Sequence, residues 1–346
     1  MQMKQQLPVL AEVTRSGMVE SRHRGSVVVA DAEGTIHALC GDGQGWTYMR
    51  SCAKPVQALP LVESGAADRF GFTEQELAVC CASHAGEVMH RGAVQRILDK
   101  IGLSGQALAC GIHPPYNREE RRRLLAEGRE PDPIHHNCSG KHSGMLAVCV
   151  HRGWPVEGYL DPDHPLQVEI LQCMSDLTGI PRDEIRLGVD GCGVPVFGLP
   201  LVAMARVFAH LASDVGHPDH RDALRRIRAA MIGNPEYIAG SGQFDTLLMQ
   251  QSKGRVVAKS GAEGVFCCGL TGRGWGMAVK IEDGSTRAIP PVVVQCLAEL
   301  SVLTEADLQA LANCREPEIR NNSGLKVGAI RAVSPVFSGN RTHGKG

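Results

Sequence analysis

Arg50-Ser51-Cys52-Ala53-Lys54-Pro55 carries an S-x-x-K motif at the predicted start of a helix, and the fold turns on how it is read. Val56, Leu59 and Val62 continue the helical spacing to a stop near Gly65, and Pro55 falls in the first turn, where its missing N–H costs little. One helical turn would put the Lys54 amine on the same face as the Ser51 hydroxyl, within hydrogen-bonding reach. The positive field and free N–H groups of a helix start favour a neutral amine and an anion forming nearby. A lysine, with an ordinary pKa of about 10.4, acts as a base near neutrality only where burial and positive neighbours lower it. By itself the motif equally fits an N-capping serine followed by a surface lysine.

Lys259-Ser260-Gly261 follows the apolar run Val256-Val257-Ala258. It matches the K-[ST]-G signature that penicillin-recognising serine enzymes carry on a strand edge, where the glycine lets a substrate lie close and the lysine faces the cleft. Alone, a lysine at a strand end is a solvated residue. Together, S-x-x-K early on a helix and K-S-G late on a strand, with a helical stretch between, give the layout of the β-lactamase and penicillin-binding architecture. Cys81-Ala82-Ser83-His84-Ala85-Gly86-Glu87 reads as a polar turn between two helices. Ser83 there could relay a proton between Lys259 and a leaving group; the alternative is an N-cap for the next helix, with His84 a solvated loop residue.

The rest of the chain fits that layout. Ser26–Ala30 and Thr35–Leu39 flank Asp31-Ala32-Glu33-Gly34 as a hairpin, and strands return at 255–259, 264–270, 276–281 and 326–333. Helical spacing covers 76–82, 88–101, 118–127, 142–151, 165–177, 197–211, 221–231 and 244–251, with two more helices at 291–303 and 305–312. The expected class is α/β in the broad sense and α+β more narrowly, an antiparallel sheet built from both chain ends beside a largely helical second lobe. With no repeat and no linker, residues 1–346 read as one domain, its sheet lobe near 8–50 and 252–335 and its helical lobe near 51–251.

Composition narrows the partners. Lys plus Arg is 36 and Asp plus Glu 37 in 346 residues, which argues against nucleic acid or an acidic membrane surface. Arg121-Arg122-Arg123 sits in a charged segment best read as the solvated face of a helix. The 13 cysteines show no secreted framework and read as small buried residues of a reducing compartment. The polar start Met1–Gln6 has no apolar run after it, and no stretch has the roughly 20 apolar residues of a membrane span, so a cytoplasmic protein is expected. The polar residues 338–346 are expected to fray.

Cys138 and Cys192 lie in Gly-rich loops, Cys138-Ser139-Gly140 and Gly191-Cys192-Gly193. Two thiolates and one further donor could hold Zn²⁺ with one position open, but C-x₂-C and H-E-x-x-H spacings are absent, and buried structural cysteines are the other reading. Asp190 could recognise a substrate ammonium group or serve an Asx-turn. Ser139-Gly140-Lys141-His142 lacks the first glycine and the Ser/Thr of a P-loop, and Gly272-Arg273-Gly274-Trp275-Gly276 lacks dinucleotide spacing.

Six motifs in order, Arg50–Pro55, Ala82–Glu87, His136-Asn137-Cys138-Ser139-Gly140-Lys141-His142, Gly188–Pro195, Ala239-Gly240 with Phe244-Asp245-Thr246, and Lys259–Gly264, resemble the thermolabile, Rhizobium-type L-asparaginase II family from about Leu10 to Val333. The resemblance implies a serine β-lactamase-like fold, hydrolysis of L-asparagine to aspartate and ammonia, and two pairs, Ser51 with Lys54 and Ser83 with Lys259. It also implies substrate contacts from Arg50, His84, His142, Asp190 and Gly191, zinc on Cys138, Lys141 and Cys192, and a homodimer. Gln243 departs from it, standing where a basic residue is common, which puts substrate preference in doubt. Asparagine and glutamine differ by one methylene, worth about 1–3 kcal/mol in a pocket. The competing readings are a penicillin-recognising hydrolase or esterase using the same pairs, and a non-catalytic zinc- or metabolite-binding protein.

Overall fold

The structure, a computed structural model, describes residues 6–337; the stretch 338–346, expected to fray, lies outside them, as do residues 1–5. The chain divides into two compact units. One comprises the chain up to Thr47, Leu199–Ser213 and the chain from Leu248 onward; the other is Tyr48–Gly198 with Asp214–Leu247.

The first unit is built on the long strand Met18–Ala30, whose first residues alternate in exposure while Gly25–Ala30 are buried without a break. Alternation marks a strand with one wet face, and continuous burial one covered on both. On one edge it pairs with Val9–Arg15 and then Ile36–Cys40, with Val13 opposite Ser21 and Val28 opposite Leu39. On the other it pairs with Trp275–Ile281, Val27 opposite Val279. The sheet continues through Val265–Leu270 to Val256–Ser260 on that side, and through Lys326–Ala332 to Glu318–Arg320 on the other. All these pairings are antiparallel. The α+β class, with an antiparallel sheet drawn from both ends of the chain, is thus the observed one.

Helix Leu201–Ala212 packs on this sheet so closely that glycine is required beneath it. A Cβ on Gly276 would lie 1.9 Å from the Ala205 carbonyl oxygen, and one on Gly269 2.5 Å from that of Phe208. The sequence puts this helix at 197–211 within the helical lobe; instead, Pro195–Pro200 is a strand and the helix belongs with the sheet. Pro200 explains the shift, because the residue before a proline is driven to extended backbone.

In the second unit the helix Ser139–Arg152 forms the core, with every residue from Ser139 to Cys149 buried. Gly140 and Gly144 let Glu74–Cys80 cross it: their Cβ atoms would meet the Val79 carbonyl oxygen at 2.2 Å and Cys80 Sγ at 2.8 Å. Helices Val88–Lys100, Arg118–Ala126, Pro165–Thr178 and Arg221–Gly233 form where the apolar spacing places them. Arg118–Ala126 buries only Leu124, as a solvated helix should. The single helix expected from Ser51 to Gly65 is instead a 3-10 turn Arg50–Ala53 followed by Lys54–Gln57 and Leu59–Glu63. Pro60 removes the N–H that would have continued the ladder. Among the described residues no helix is long and apolar enough to cross a membrane.

Candidate active site

Arg50, Ser51, Lys54, Ser83, His84, Cys138, Lys141, His142, Asp190, Gly191 and Cys192 all lie in the second unit, and Lys259 in the first. Ser51 is half-buried in the 3-10 turn, and its carbonyl accepts the backbone N–H of Lys54. Arg50 before it is left-handed, φ +51°, a conformation that costs a side-chain-bearing residue about 1–2 kcal/mol. Its guanidinium is anchored on Asp190 Oδ1 at 2.9 Å, which also accepts the Gly191 N–H at 2.8 Å. Burial would raise the Asp190 carboxyl, but the Gly191 bond, Arg50 and Lys141 hold it below its ordinary value. Asp190 therefore braces its own loop through the N–H of the next residue and carries a charge at once.

Lys54 is buried, 1% exposed, against the expectation of a surface lysine for the bare motif. Its ammonium donates to the Ala82 carbonyl, to Ser83 Oγ at 2.9 Å and to Cys138 Sγ at 3.2 Å. Ser83 caps no helix; Glu87 is the cap of Val88–Lys100. The Ser83 N–H instead bonds the Ile238 carbonyl at 3.0 Å, fixing the hydroxyl beside Lys54. Lys259, likewise fully buried rather than solvated, lies opposite Cys267 on its strand and donates to the Ser260 carbonyl at 2.7 Å.

His84 is buried, not a solvated loop residue. Its Nδ1 accepts the Gly86 N–H at 3.2 Å, so Nε2 carries the proton given to Ser139 Oγ at 2.9 Å. Burial, then the neighbouring His90 and Lys54, hold it well below the usual imidazole range. With both nitrogens engaged, His84 ties the Ser83 loop to the start of the core helix.

Cys138 sits at the N-cap of Ser139–Arg152, where helix N–H groups favour a thiolate. A hydrogen bond with Cys192 and, against burial, the Lys54 and Lys141 ammoniums hold its thiol well below the ordinary value. Lys141 Nζ lies 3.0 Å from Cys192 Sγ, and although burial opposes its charge, the two sulfurs raise it overall. The half-buried Ser83 and the buried Lys54, Cys138, Cys192 and Lys141 thus form one polar chain. His142 extends it: Nδ1 meets Tyr159 Oη at 2.7 Å, and Tyr159 in turn accepts the Ala109 N–H at 2.9 Å. The Tyr159 proton then goes to Nδ1, which makes Nε2 the protonated nitrogen. Burial pushes His142 down to about 4, and its Nε2 makes no well-formed hydrogen bond, although the Cys192 sulfur lies close enough to act on it.

These donors fit zinc. The Cys138 thiol, already disposed to ionise, the Cys192 sulfur and an amine 3.0 Å from that second sulfur form a donor set suited to a borderline-soft cation. Lys141 must lose its proton to join it.

Two residues that carry the site were assigned no role from the sequence, although Glu87 closes the Ala82–Glu87 motif. Tyr159 orients His142, and Glu87 takes the Ser241 N–H and Oγ at 2.9 Å each, pinning the loop that closes over Ala85. Gln243 is exposed in the same loop region.

The L-asparaginase II family model matches residues 11–332. No curated protein matches the chain. Among solved structures, Mglu in its tris and glutamate form is 17% identical at a TM-score of 0.45, over 86% of this chain and 63% of that one. The chain therefore spans less than two thirds of the Mglu length. A β-lactamase (Mb2281c) from Mycobacterium bovis is 15% identical at 0.43, over 85% and 96%. A Bacillus glutaminase is 14% identical at 0.38, over 80% and 91%. Likenesses this distant carry no argument about activity.

Proposed function

The chain belongs to the L-asparaginase II family, and from that premise we propose that it is an amidohydrolase releasing ammonia and L-aspartate from L-asparagine, with Ser51 as nucleophile. The observation that supports this most is the Lys54 amine, buried one turn from Ser51 and 2.9 Å from Ser83 Oγ. A buried lysine that holds one serine hydroxyl and follows another serine by one turn is equipped to move protons rather than to meet solvent.

In this reading Lys54, once neutral, takes the Ser51 proton as the hydroxyl oxygen attacks the side-chain amide carbon. Backbone N–H groups, that of Ser51 among them, hold the oxyanion. The C–N bond breaks, ammonia leaves with a proton passed through Ser83, for which Lys259 is the proposed partner, and an aspartyl ester remains on Ser51. Water attacks the ester and returns the proton by the same path. Asp190, held charged by Arg50 and Gly191, faces the substrate ammonium. His84 and His142 act as positioning residues.

Cys138, Lys141 and Cys192 are the proposed zinc ligands. Zinc, when bound there, withdraws the negative charge that faces Lys54. The protein is further proposed to be a cytoplasmic homodimer acting on a small molecule; cysteine spacings without a secreted framework support the reducing compartment, and the balanced charge supports a small-molecule partner over nucleic acid.

Ammonia release from L-asparagine and L-glutamine, by the wild-type protein and Ser51→Ala, tests the reading. Release from asparagine that collapses in the variant supports it. Release undiminished by the substitution removes Ser51 as nucleophile, and nitrocefin turnover without ammonia release moves the activity to the penicillin-recognising class.

A further inference from the structure

The second unit holds another mixed donor set, made of residues none of which belongs to the site above. Glu63 ends the helix Leu59–Glu63, Cys173 and Asp176 lie one turn apart on Pro165–Thr178, and His220 caps Arg221–Gly233. One donor atom from each of Glu63, Cys173 and His220 lies within 4.8 Å of the other two. His220 Nδ1 meets Glu63 Oε1 at 2.7 Å, and its Nε2 meets Asp176 Oδ2 at 3.2 Å.

We propose that Glu63, Cys173 and His220 bind a thiophilic divalent cation of the zinc class, with Asp176 orienting the imidazole. Carboxylate, thiolate and imidazole are ordinary zinc donors, and the sulfur disfavours magnesium and calcium. A metal-binding histidine characteristically gives its second ring N–H to a carboxylate, which fixes the tautomer and aims the other nitrogen. Asp176 does this for Nε2 and leaves Nδ1 directed at Glu63. The surroundings are anionic as well: Glu169 lies near enough for Glu63 to act on it, with Arg152 4.0 Å away as a counter-charge.

The geometry is close to what the cation needs. Bonds of about 2.0–2.3 Å at tetrahedral angles set donors roughly 3.3–3.8 Å apart, so the Glu63–His220 contact must open by somewhat under an ångström. Glu63 can move, since its side chain is 25% exposed and leaves a solvent-facing position for water. Cys173, 3% exposed, cannot. Binding displaces two protons, one from the Cys173 thiol and one from His220 Nδ1, and puts two positive charges in their place. The charge carried by the site is unchanged. The raised affinity of His220 for its proton between two carboxylates marks the same position as one that favours a cation.

The test is zinc bound per chain, by elemental analysis after dialysis against dilute Zn²⁺, in full-length protein. Cys138→Ser removes the first donor set and serves as background, to which Cys173→Ser or Glu63→Gln is added. The proposal expects about one zinc per chain in the background and its loss in both double variants. It is overturned if the background binds no zinc, or if either double variant melts cooperatively and keeps the full equivalent. Glu63→Gln decides the matter if Cys173→Ser does not fold. Ammonia release is not read, so failure here leaves the proposed hydrolase untouched.

Discussion

Lys54 Nζ lies 3.2 Å from Cys138 Sγ while the same ammonium donates to Ser83 Oγ at 2.9 Å. The contact joins the hydroxyl chemistry of the site to its thiol pair, so that a change of charge on the sulfurs is felt at the amine. Lys54→Met should break both at once. Its cost in stability should be about 3–5 kcal/mol, the usual penalty for leaving one member of a buried charge pair alone. The Cys138 thiol should rise in pKa, which ultraviolet titration of the thiolate reads directly.

Arg50 combines a left-handed backbone with an ion pair, and two substitutions separate these. Arg50→Ala loses the ion pair and keeps the strain, whereas Arg50→Gly loses both. The glycine variant should be the more stable by about 1 kcal/mol in denaturant unfolding. Both should raise KM for asparagine more than they lower kcat, if Asp190 orients the substrate.

The lowered Asp190 carboxyl has a consequence for pH. A carboxyl depressed on folding adds stability above its unfolded value, and that stability is lost as pH falls through the folded value. Asp190→Asn should therefore narrow the stability gap to wild type as the solution is acidified below about pH 4. A gap that widens on acidification would reverse the assignment.

His220 works in the opposite sense. Burial lowers it, but Glu63 and Asp176 raise it above its ordinary value. Its contribution is complete below about pH 6.5 and disappears as pH rises through the folded value. In the presence of a chelator, the melting temperature of wild type should fall toward that of His220→Gln as the solution is made alkaline.

The fold offers its own test in the first unit. Gly276→Ala would place a Cβ 1.9 Å from the Ala205 carbonyl oxygen, forcing the helix Leu201–Ala212 off the sheet. A loss of about 1–3 kcal/mol is expected, with far-ultraviolet circular dichroism unchanged.

Much of this was legible from residue order. The run Val256-Val257-Ala258 reads as a strand because it is one, and Pro165–Thr178 as a helix because its apolar positions repeat with the helical period. The S-x-x-K spacing located Ser51 and Lys54 on one turn. What Lys54 touches was not legible, because its partners Ser83 and Cys138 lie 29 and 84 residues away and are brought in by packing. The burial of His84 was hidden for the same reason: its environment is made by Ser139 and His90. The break at Pro60 and the strand before Pro200 carried a local signal, the prolines themselves, that outweighed the apolar period.

The most direct measurement is the location of the covalent intermediate. Protein quenched in acid during asparagine turnover, digested and mapped by mass spectrometry, should carry an aspartyl ester on the peptide containing Ser51, and Ser51→Ala should carry none. An ester on Ser83 instead, or steady turnover with no ester on either serine, would contradict the proposed nucleophile.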